Sequence, residues 1–305
     1  MHFIKYLLFS LTLLSANISL QLDSCYGSPK HIVINGSIMN NPKNKEYKKS
    51  DTKLLNFKRK FSDIFLHKAQ ENIDLNIYLN GHKYSTKTDN EGYFEFEADA
   101  KVPYFTYKTD IKAFAPSLNL ANRCRPIIVS NSQKIGVIAD FDDTLIVSNV
   151  TNKIKLFKDT FLKNYKQRVA VKGVLNRVKR ALDKSRAFFV ITGSPKQFNK
   201  AINSFLDLHK FPKRVLITKK LKGKNADPMF DQFKYKYKKI KALIKLYPQI
   251  KWTMFGDSGE KDLQTYKAIA KEYPNSVKAI FIRDVKSGKI ERKLWFSILC
   301  PMPMK

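Results

Sequence analysis

The sequence predicts a mixed α/β protein in which a small antiparallel β-sandwich precedes a parallel sheet covered by helices. Three observations carry that expectation. In the C-terminal half, short apolar runs at 135–139, 187–191 and 252–255 each end on a carboxylate or a hydroxyl, and segments of helical period separate them. From His31 to about Ser130 apolar and polar residues alternate with period two, broken by Asn and Gly at turns. With 305 residues and 43% hydrophobic content, the chain can bury two cores.

Residues 1–20 carry Lys5 as their only Lys or Arg and then run LLFSLTLLSANISL, the charge-then-apolar layout of a secretory signal. That run is shorter than the roughly 20 apolar residues a membrane-crossing helix needs, so a signal over 1–25 is expected. Leu22, Asp23, Ser24 and Cys25 loosely resemble a lipoprotein cleavage box, which would place a lipid on Cys25. Plain export and anchoring both stay open. The β-domain is expected over 29–130, with strands in HIVING, IDLNIYLNG, YFEFEA and YFTYKTDIKAFAP. The turn TDNEGYF suits a tight reversal, because Asn and Gly accept positive φ. Residues 43–60 are expected to be a basic, turn-rich loop or a flexible insertion.

Fifty-seven Lys and Arg against 26 Asp and Glu give +31, which suits an anionic partner: nucleic acid, an acidic lipid surface or a phosphorylated substrate. No reading helix or aromatic platform accompanies the charge, so specific nucleic-acid binding is not expected. The lysines are spread along the chain, and the loop with Lys219, Lys220, Lys222 and Lys224 is the exception. Cys25, Cys124 and Cys300 lie far apart without a CxxC pair, and no HExxH is present, which argues against a structural zinc site, a zinc hydrolase and thiol catalysis. The odd count leaves any disulfide unassigned.

The chemistry is expected in the catalytic half, 131–300. In KIGVIADFDDTLIVS a buried strand stops on Asp140, Asp142 and Asp143. Ligands of an open α/β sheet sit outside the carboxyl ends of its strands, so these carboxylates would face a reacting group, and phosphoryl transfer is the expected reaction. A calcium loop would need glycine and glutamate where the chain has Leu145 and Thr151. Val174, Val178 and Leu182 mark a helix, and the next strand ends on Thr192-Gly193-Ser194-Pro195. Phe198, Ile202 and Phe205 mark another helix, and 215–217 a short strand. The lysine-rich helix 233–247 follows. Strand 252–255 then runs into Gly256-Asp257-Ser258-Gly259-Glu260-Lys261-Asp262, before a last helix and a strand at 277–282.

The ordered set DFDDT, ITGSP, a helical lysine and FGDSGEKD resembles the four-motif signature of haloacid-dehalogenase (HAD) superfamily phosphatases, which implies a Rossmann-like doubly wound parallel sheet. More closely, DFDDTLIVSNV, DTFLKN, ITGSP, KLYP, GDSGEKDLQTY and AIFIRDV resemble the actin-patch-associated type of phosphatidate phosphatase catalytic domain, over about residues 134–285. The resemblance implies Asp140 as nucleophile and Asp142 as general acid and base. Thr192 would hydrogen-bond a phosphoryl oxygen. Lys236, 12 residues before Pro248, would offset its charge, with Lys234 and Lys238 as rivals. Mg2+ would be held by Asp140, Asp257 and the backbone carbonyl of Asp142, while Asp143 and Asp262 orient these groups.

Two positions depart from the family pattern: Lys196 replaces an aromatic and Tyr235 a histidine, and both are expected near the leaving-group pocket. The spacing leaves no large lid domain, which favours a lipid or macromolecular phosphomonoester, and the charge suits an anionic membrane surface. The expected activity is hydrolysis of phosphatidate to diacylglycerol by an exported, cell-envelope protein. Alternatives are an exported phosphatase for soluble or protein phosphomonoesters, and a non-catalytic surface-binding module.

Overall fold

A computed structural model describes residues 17–293 except 42–45, 66–67, 101–103, 150, 224 and 229. Alternating sequence becomes strands in the front half, as the period dictates. β1 (Asn17–Gly27) and β2 (His31–Asn41) form a long antiparallel hairpin. Helix α1 (Lys53–Phe65) follows, then β3 (Lys68–Ala69), β4 (Asp74–Leu79), β5 (His82–Lys87), β6 (Tyr93–Asp99), β7 (Ile111–Ala115), β8 (Leu120–Cys124) and β9 (Ile127–Ile128). β2 also pairs with β3 and β6, and β1 runs parallel to β9; β5, β4, β7 and β8 make a second, antiparallel sheet. One apolar core joins the two sheets, with Ile32, Ile34 and Ile38 from the first and Leu75, Ile77 and Ile111 from the second. Each such side chain contributes about 1.5–3 kcal/mol by leaving water. In the expected turn, Asp89 Oδ1 accepts from the N–H groups of Glu91 and Tyr93, both at 3.0 Å, and Gly92 has φ 72°.

The front half corrects three expectations. Residues 17–25, assigned on sequence to the signal, belong to β1, whose pairing with β2 runs from Asn17 to Gly27. Cys25 is joined to Cys124 by a disulfide. Cleavage at residue 25 would remove most of that strand, and a lipidated Cys25 would have no sulfur for the bridge. Residues 1–16 and Cys300 lie outside the described residues. Closing a loop of 99 residues stabilises by about 4–5 kcal/mol in the chain-entropy account. Finally, part of the expected basic loop is helical: α1 buries Asn56 and Lys60 and turns Leu54 and Phe61 outward, the reverse of the usual pattern.

The second half alternates strands and helices: β10 (Ile135–Ala139), α2 (Lys153–Phe161), α3 (Val174–Leu182), β11 (Phe188–Pro195), α4 (Asn199–Leu208), β12 (Val215–Lys219), α5 (Gln232–Leu246), β13 (Lys251–Asp257), α6 (Asp262–Glu272), β14 (Val277–Arg283) and β15 (Ile290–Lys293). The sheet order is β12-β11-β10-β13-β14-β15, parallel except for β15. Val178 of α3 and Phe205 of α4 pack in the cluster on one face; Leu243 of α5 and Ile269 of α6 pack in the cluster on the other. β10 is central, and the chain order reverses there, so the crevice of an open α/β sheet opens at its C-terminal tip.

The two halves are closely joined. β9 leads into β10, the Tyr26 ring meets Phe189 edge-on at 5.6 Å, and Asp89 accepts from Lys220 Nζ at 2.5 Å. Lys219 of the same basic loop is buried with its ammonium over the Tyr235 ring, so much of that loop serves packing, and Lys224 lies outside the described residues. Among the described residues no helix is long and apolar enough to cross a membrane.

Candidate active site

Two strand tips and one helix start deliver the carboxylates. Asp140 follows β10 and donates its backbone N–H to the Phe255 carbonyl at 2.9 Å, which holds it level with the end of β13. Asp257 ends β13, and its Oδ1 accepts from the N–H groups of Gly259 at 2.6 Å and Glu260 at 3.1 Å. Asp262 begins α6 and accepts the Asp257 N–H on Oδ2 at 3.2 Å. Gly256 permits that approach, since a Cβ there would lie 2.6 Å from the Asp262 Cβ.

Lys236 reaches into this group from the first turns of α5. Its ammonium donates to Asp140 Oδ1 at 2.8 Å, Glu260 Oε2 at 2.9 Å and Asp262 Oδ1 at 2.5 Å. Asp140, Asp262 and Lys236 are all buried, whereas the rivals Lys234 and Lys238 are exposed. Burial opposes the charge on Lys236, but Asp140, Asp262 and Glu260 outweigh it and raise its pKa well above the usual lysine range. Oxygens of Asp140, Glu260 and Asp262 lie within 4.8 Å of one another, as in a metal site, yet their shared centre is filled by this ammonium. The open valences are elsewhere: Asp140 Oδ2 and Asp257 Oδ2 are buried without a hydrogen-bond partner.

Asp142 is held differently. The Ser148 hydroxyl donates to its Oδ1 at 2.6 Å and the Ser194 hydroxyl to its Oδ2 at 2.9 Å. Arg168 Nη2 in turn donates to Ser148 Oγ at 2.7 Å. Asp143 has φ 53°, accepts the N–H groups of Ser148 and Asn149 on Oδ1, both at 3.0 Å, and its carbonyl accepts from Arg283 at 2.9 Å. It ties down the loop rather than facing the cluster. Thr192 is buried within β11, just past its paired stretch with β12 at Ile191, and its Oγ1 accepts the Ser194 N–H at 3.0 Å.

Sequence reasoning missed Ser148, Ser194, Arg168 and Glu260. Ser194 and Glu260 lie inside the motifs that drew attention, so the signal was present, but serine carries no charge to mark it. Replacing Ser194 with alanine removes one hydrogen bond to a carboxylate, and a fall in kcat of about 10- to 100-fold is expected. A steady-state assay that separates kcat from KM would show it; an unchanged kcat would mean that Asp142 is placed without Ser194.

A small cavity of about 50 Å³ beside Asp142 is lined by Phe141, Arg168, Ser194 and Phe198, and by Lys60 of α1 and Thr160 of α2. Lys196 and Tyr235 do not line it, contrary to expectation. Lys196 sits over the Tyr93 ring at 5.1 Å, and the Tyr235 hydroxyl donates to the Ile217 carbonyl at 3.3 Å within the core. A larger cavity of about 310 Å³ between the halves, lined by Asp23, Tyr93 and Lys196, contains none of the clustered active-site carboxylates.

The buried carboxylates, their lysine and the serine-held aspartate all fall within one stretch of known type. Residues 135–284 match the family described as phosphatidate phosphatase APP1, catalytic domain. That stretch is similar to this catalytic domain. It is 30% identical over 152 residues to the phosphatidate phosphatase APP1 of Saccharomyces cerevisiae, a match covering 49% of this chain and 26% of that protein. An uncharacterized protein of Schizosaccharomyces pombe is 22% identical over 214 residues, covering 67% of this chain and 35% of its own. The chain thus spans about a quarter to a third of the length of these relatives, and the APP1-like stretch contains every residue of the cluster.

Proposed function

We propose that the chain is a Mg2+-dependent phosphatidate phosphatase that works through an aspartyl-phosphate on Asp140, in a HAD-like doubly wound unit preceded by a β-sandwich. The observation that carries this is the pair of partnerless buried oxygens, Asp140 Oδ2 and Asp257 Oδ2, beside an aspartate held by two serines. Two orphaned carboxylate oxygens fit a hard divalent cation, which Asp140, Asp257 and the carbonyl of Asp142 would hold. When bound, such a cation offsets negative charge between these carboxylates and a phosphate.

The chain's own groups supply the rest. The Asp140 carboxylate attacks phosphorus, and the bond to the leaving oxygen breaks as Asp142 gives that oxygen a proton. Asp142, now a carboxylate, takes a proton from the water that attacks the aspartyl-phosphate, releasing phosphate and restoring Asp140. Ser148 and Ser194 keep Asp142 aimed throughout. Lys236 offsets the charge of Asp140 and of the phosphoryl group, and Thr192 supplies a hydroxyl. The disulfide supports an oxidising, exported location, and the +31 charge supports work at an anionic membrane, where each well-placed basic residue adds roughly 1 kcal/mol.

One observation favours a second substrate class: the cavity beside Asp142 is small and partly walled by α1 and α2, which suits a small soluble phosphomonoester. Phosphate release from phosphatidate in mixed micelles and from soluble esters, each with Mg2+ or EDTA, separates the two. Mg2+-dependent release from the lipid is expected. Release from soluble esters alone would overturn the lipid assignment and keep the chemistry.

The acidic cluster also sets a stability profile. Burial first, then Asp262 and Glu260, push Asp257 from 3.8 up to about 8. Its folded pKa lies above the unfolded value, so the proton-bound form stabilises the fold fully at low pH, and that contribution is lost as pH rises from about 4 through 8. The expected loss, without a divalent cation, is a few kcal/mol. Melting temperature should fall over this range in EDTA, recover on adding Mg2+ at the alkaline end, and fall less steeply in Asp257→Asn. A flat profile in EDTA would contradict the buried, like-charged setting of Asp257.

A further inference from the structure

We infer that α1, α2 and the loop before α5 form a docking face for an anionic bilayer, placed at the mouth of the active site. This deepens the lipid reading and rests on it for turnover, but not for binding.

The face is unusual in what it exposes. In α1, Leu54 is 63% and Phe61 44% exposed, while the polar Asn56 and Lys60 are buried. Leu54, Lys58 and Phe61 share one side of the helix by their spacing. The buried side explains the inversion. Asn56 Nδ2 donates to the Leu162 carbonyl at 3.0 Å and to Gln167 Oε1 at 2.8 Å, and Lys60 Nζ donates to the Thr160 carbonyl. Polar groups, together with the Phe57 ring against Phe161 at 6.5 Å, thus fasten α1 to the end of α2, while Leu54 and Phe61 stay on its exposed side. In α2, Ile154 is 68% exposed between the exposed Lys155 and Lys158 and the N-cap Asn152. Phe230, beside the Asp231 N-cap of α5, is 93% exposed. α2 and α5 follow the C-terminal ends of β10 and β12, so Ile154 and Phe230 stand at the edge of the sheet that carries the site.

Charge selects the occupant. Among the described residues, Asp51 pairs with Arg59 at 2.8 Å, Asp159 with Lys163 at 2.7 Å and Glu46 with Lys166 at 3.2 Å. Lys53, Lys58, Lys155 and Lys158 are exposed beside the apolar side chains. Apolar residues flanked by lysines suit the boundary of an anionic bilayer, where the apolar groups enter the acyl region and the ammonium groups meet headgroups. A bilayer held there would face the cavity that Lys60 and Thr160 share with Asp142.

The test is co-sedimentation of the full chain with vesicles of phosphatidylcholine, with or without phosphatidylglycerol. The comparison is Leu54→Ser/Phe61→Ser/Ile154→Ser, whose sites are exposed and outside the catalytic cluster, with hydrolysis of a soluble phosphomonoester as a control for folding. The expected result is binding to anionic vesicles that weakens with salt and drops by on the order of tenfold or more in the variant, with soluble-ester turnover kept. No binding by the unaltered chain, or equal binding by the variant, overturns the proposal. So does a dimer in light scattering that the variant splits while vesicles stay unbound, which would make the face an interface between copies. Vesicle binding through this face with no release from phosphatidate would sink the lipid-phosphatase reading and leave the docking face standing.

Discussion

Asp140→Asn is expected to abolish phosphate release, a loss of about 10,000-fold or more, while leaving the protein folded. The amide has almost the shape of the carboxylate, so Lys236 keeps an oxygen to donate to, but the attacking oxygen loses its charge. Folding should not suffer. Burial, only partly offset by Lys236, already pushes the Asp140 carboxyl well above the usual range, so a neutral group suits its surroundings. Thermal melting beside a phosphate-release assay checks both halves of the expectation. Activity within about tenfold of the unaltered chain would remove Asp140 from its role.

Lys236→Met is expected to cost both activity and about 3–5 kcal/mol of stability, because it leaves Asp140, Glu260 and Asp262 grouped without their counter-ion. The sign of the pH dependence follows from the pair. The folded pKa of Lys236 lies above its unfolded value, so the stability from pairing is complete below the unfolded lysine value and is lost only as pH rises through the folded one. In neutral buffer the whole contribution is therefore at stake. The variant should regain part of its stability in acid, where the stranded carboxylates take up protons. Melting curves of variant and unaltered protein in acidic and mildly alkaline buffer would show this. Equal melting temperatures at both would contradict the buried ion cluster.

These effects fall on residues that the sequence made legible, and the reason is physical. An apolar run that stops on Asp140, or on Asp257, reads as a buried strand with charge at its tip, whereas Lys236 is singled out by the family resemblance, 12 residues before Pro248, and not by helical spacing. The lysine rivals were separated only by burial, which needs the fold. α1 escaped because its buried side is Asn56 and Lys60, whose partners Leu162, Gln167 and Thr160 lie about 100 residues away, so no local apolar stripe announced a helix. β1 escaped for the opposite reason: Ile18, Leu20 and Leu22 alternate, but they extend an apolar run that has the character of a leader. The bridge between Cys25 and Cys124 could not be chosen among three distant cysteines without the two strands that carry them. Ser148 and Ser194 form part of the same lesson, since both act on Asp142 from different segments and neither is marked by charge.

The central claim is that Asp140 itself becomes phosphorylated. Acid quenching of the full chain during turnover of phosphatidate with a radiolabelled phosphate, followed by peptide mapping, tests it most directly. The expected result is label on the peptide containing Asp140, absent in Asp140→Asn. Steady release of phosphate with no label on the protein, or release that persists in Asp140→Asn, would contradict it.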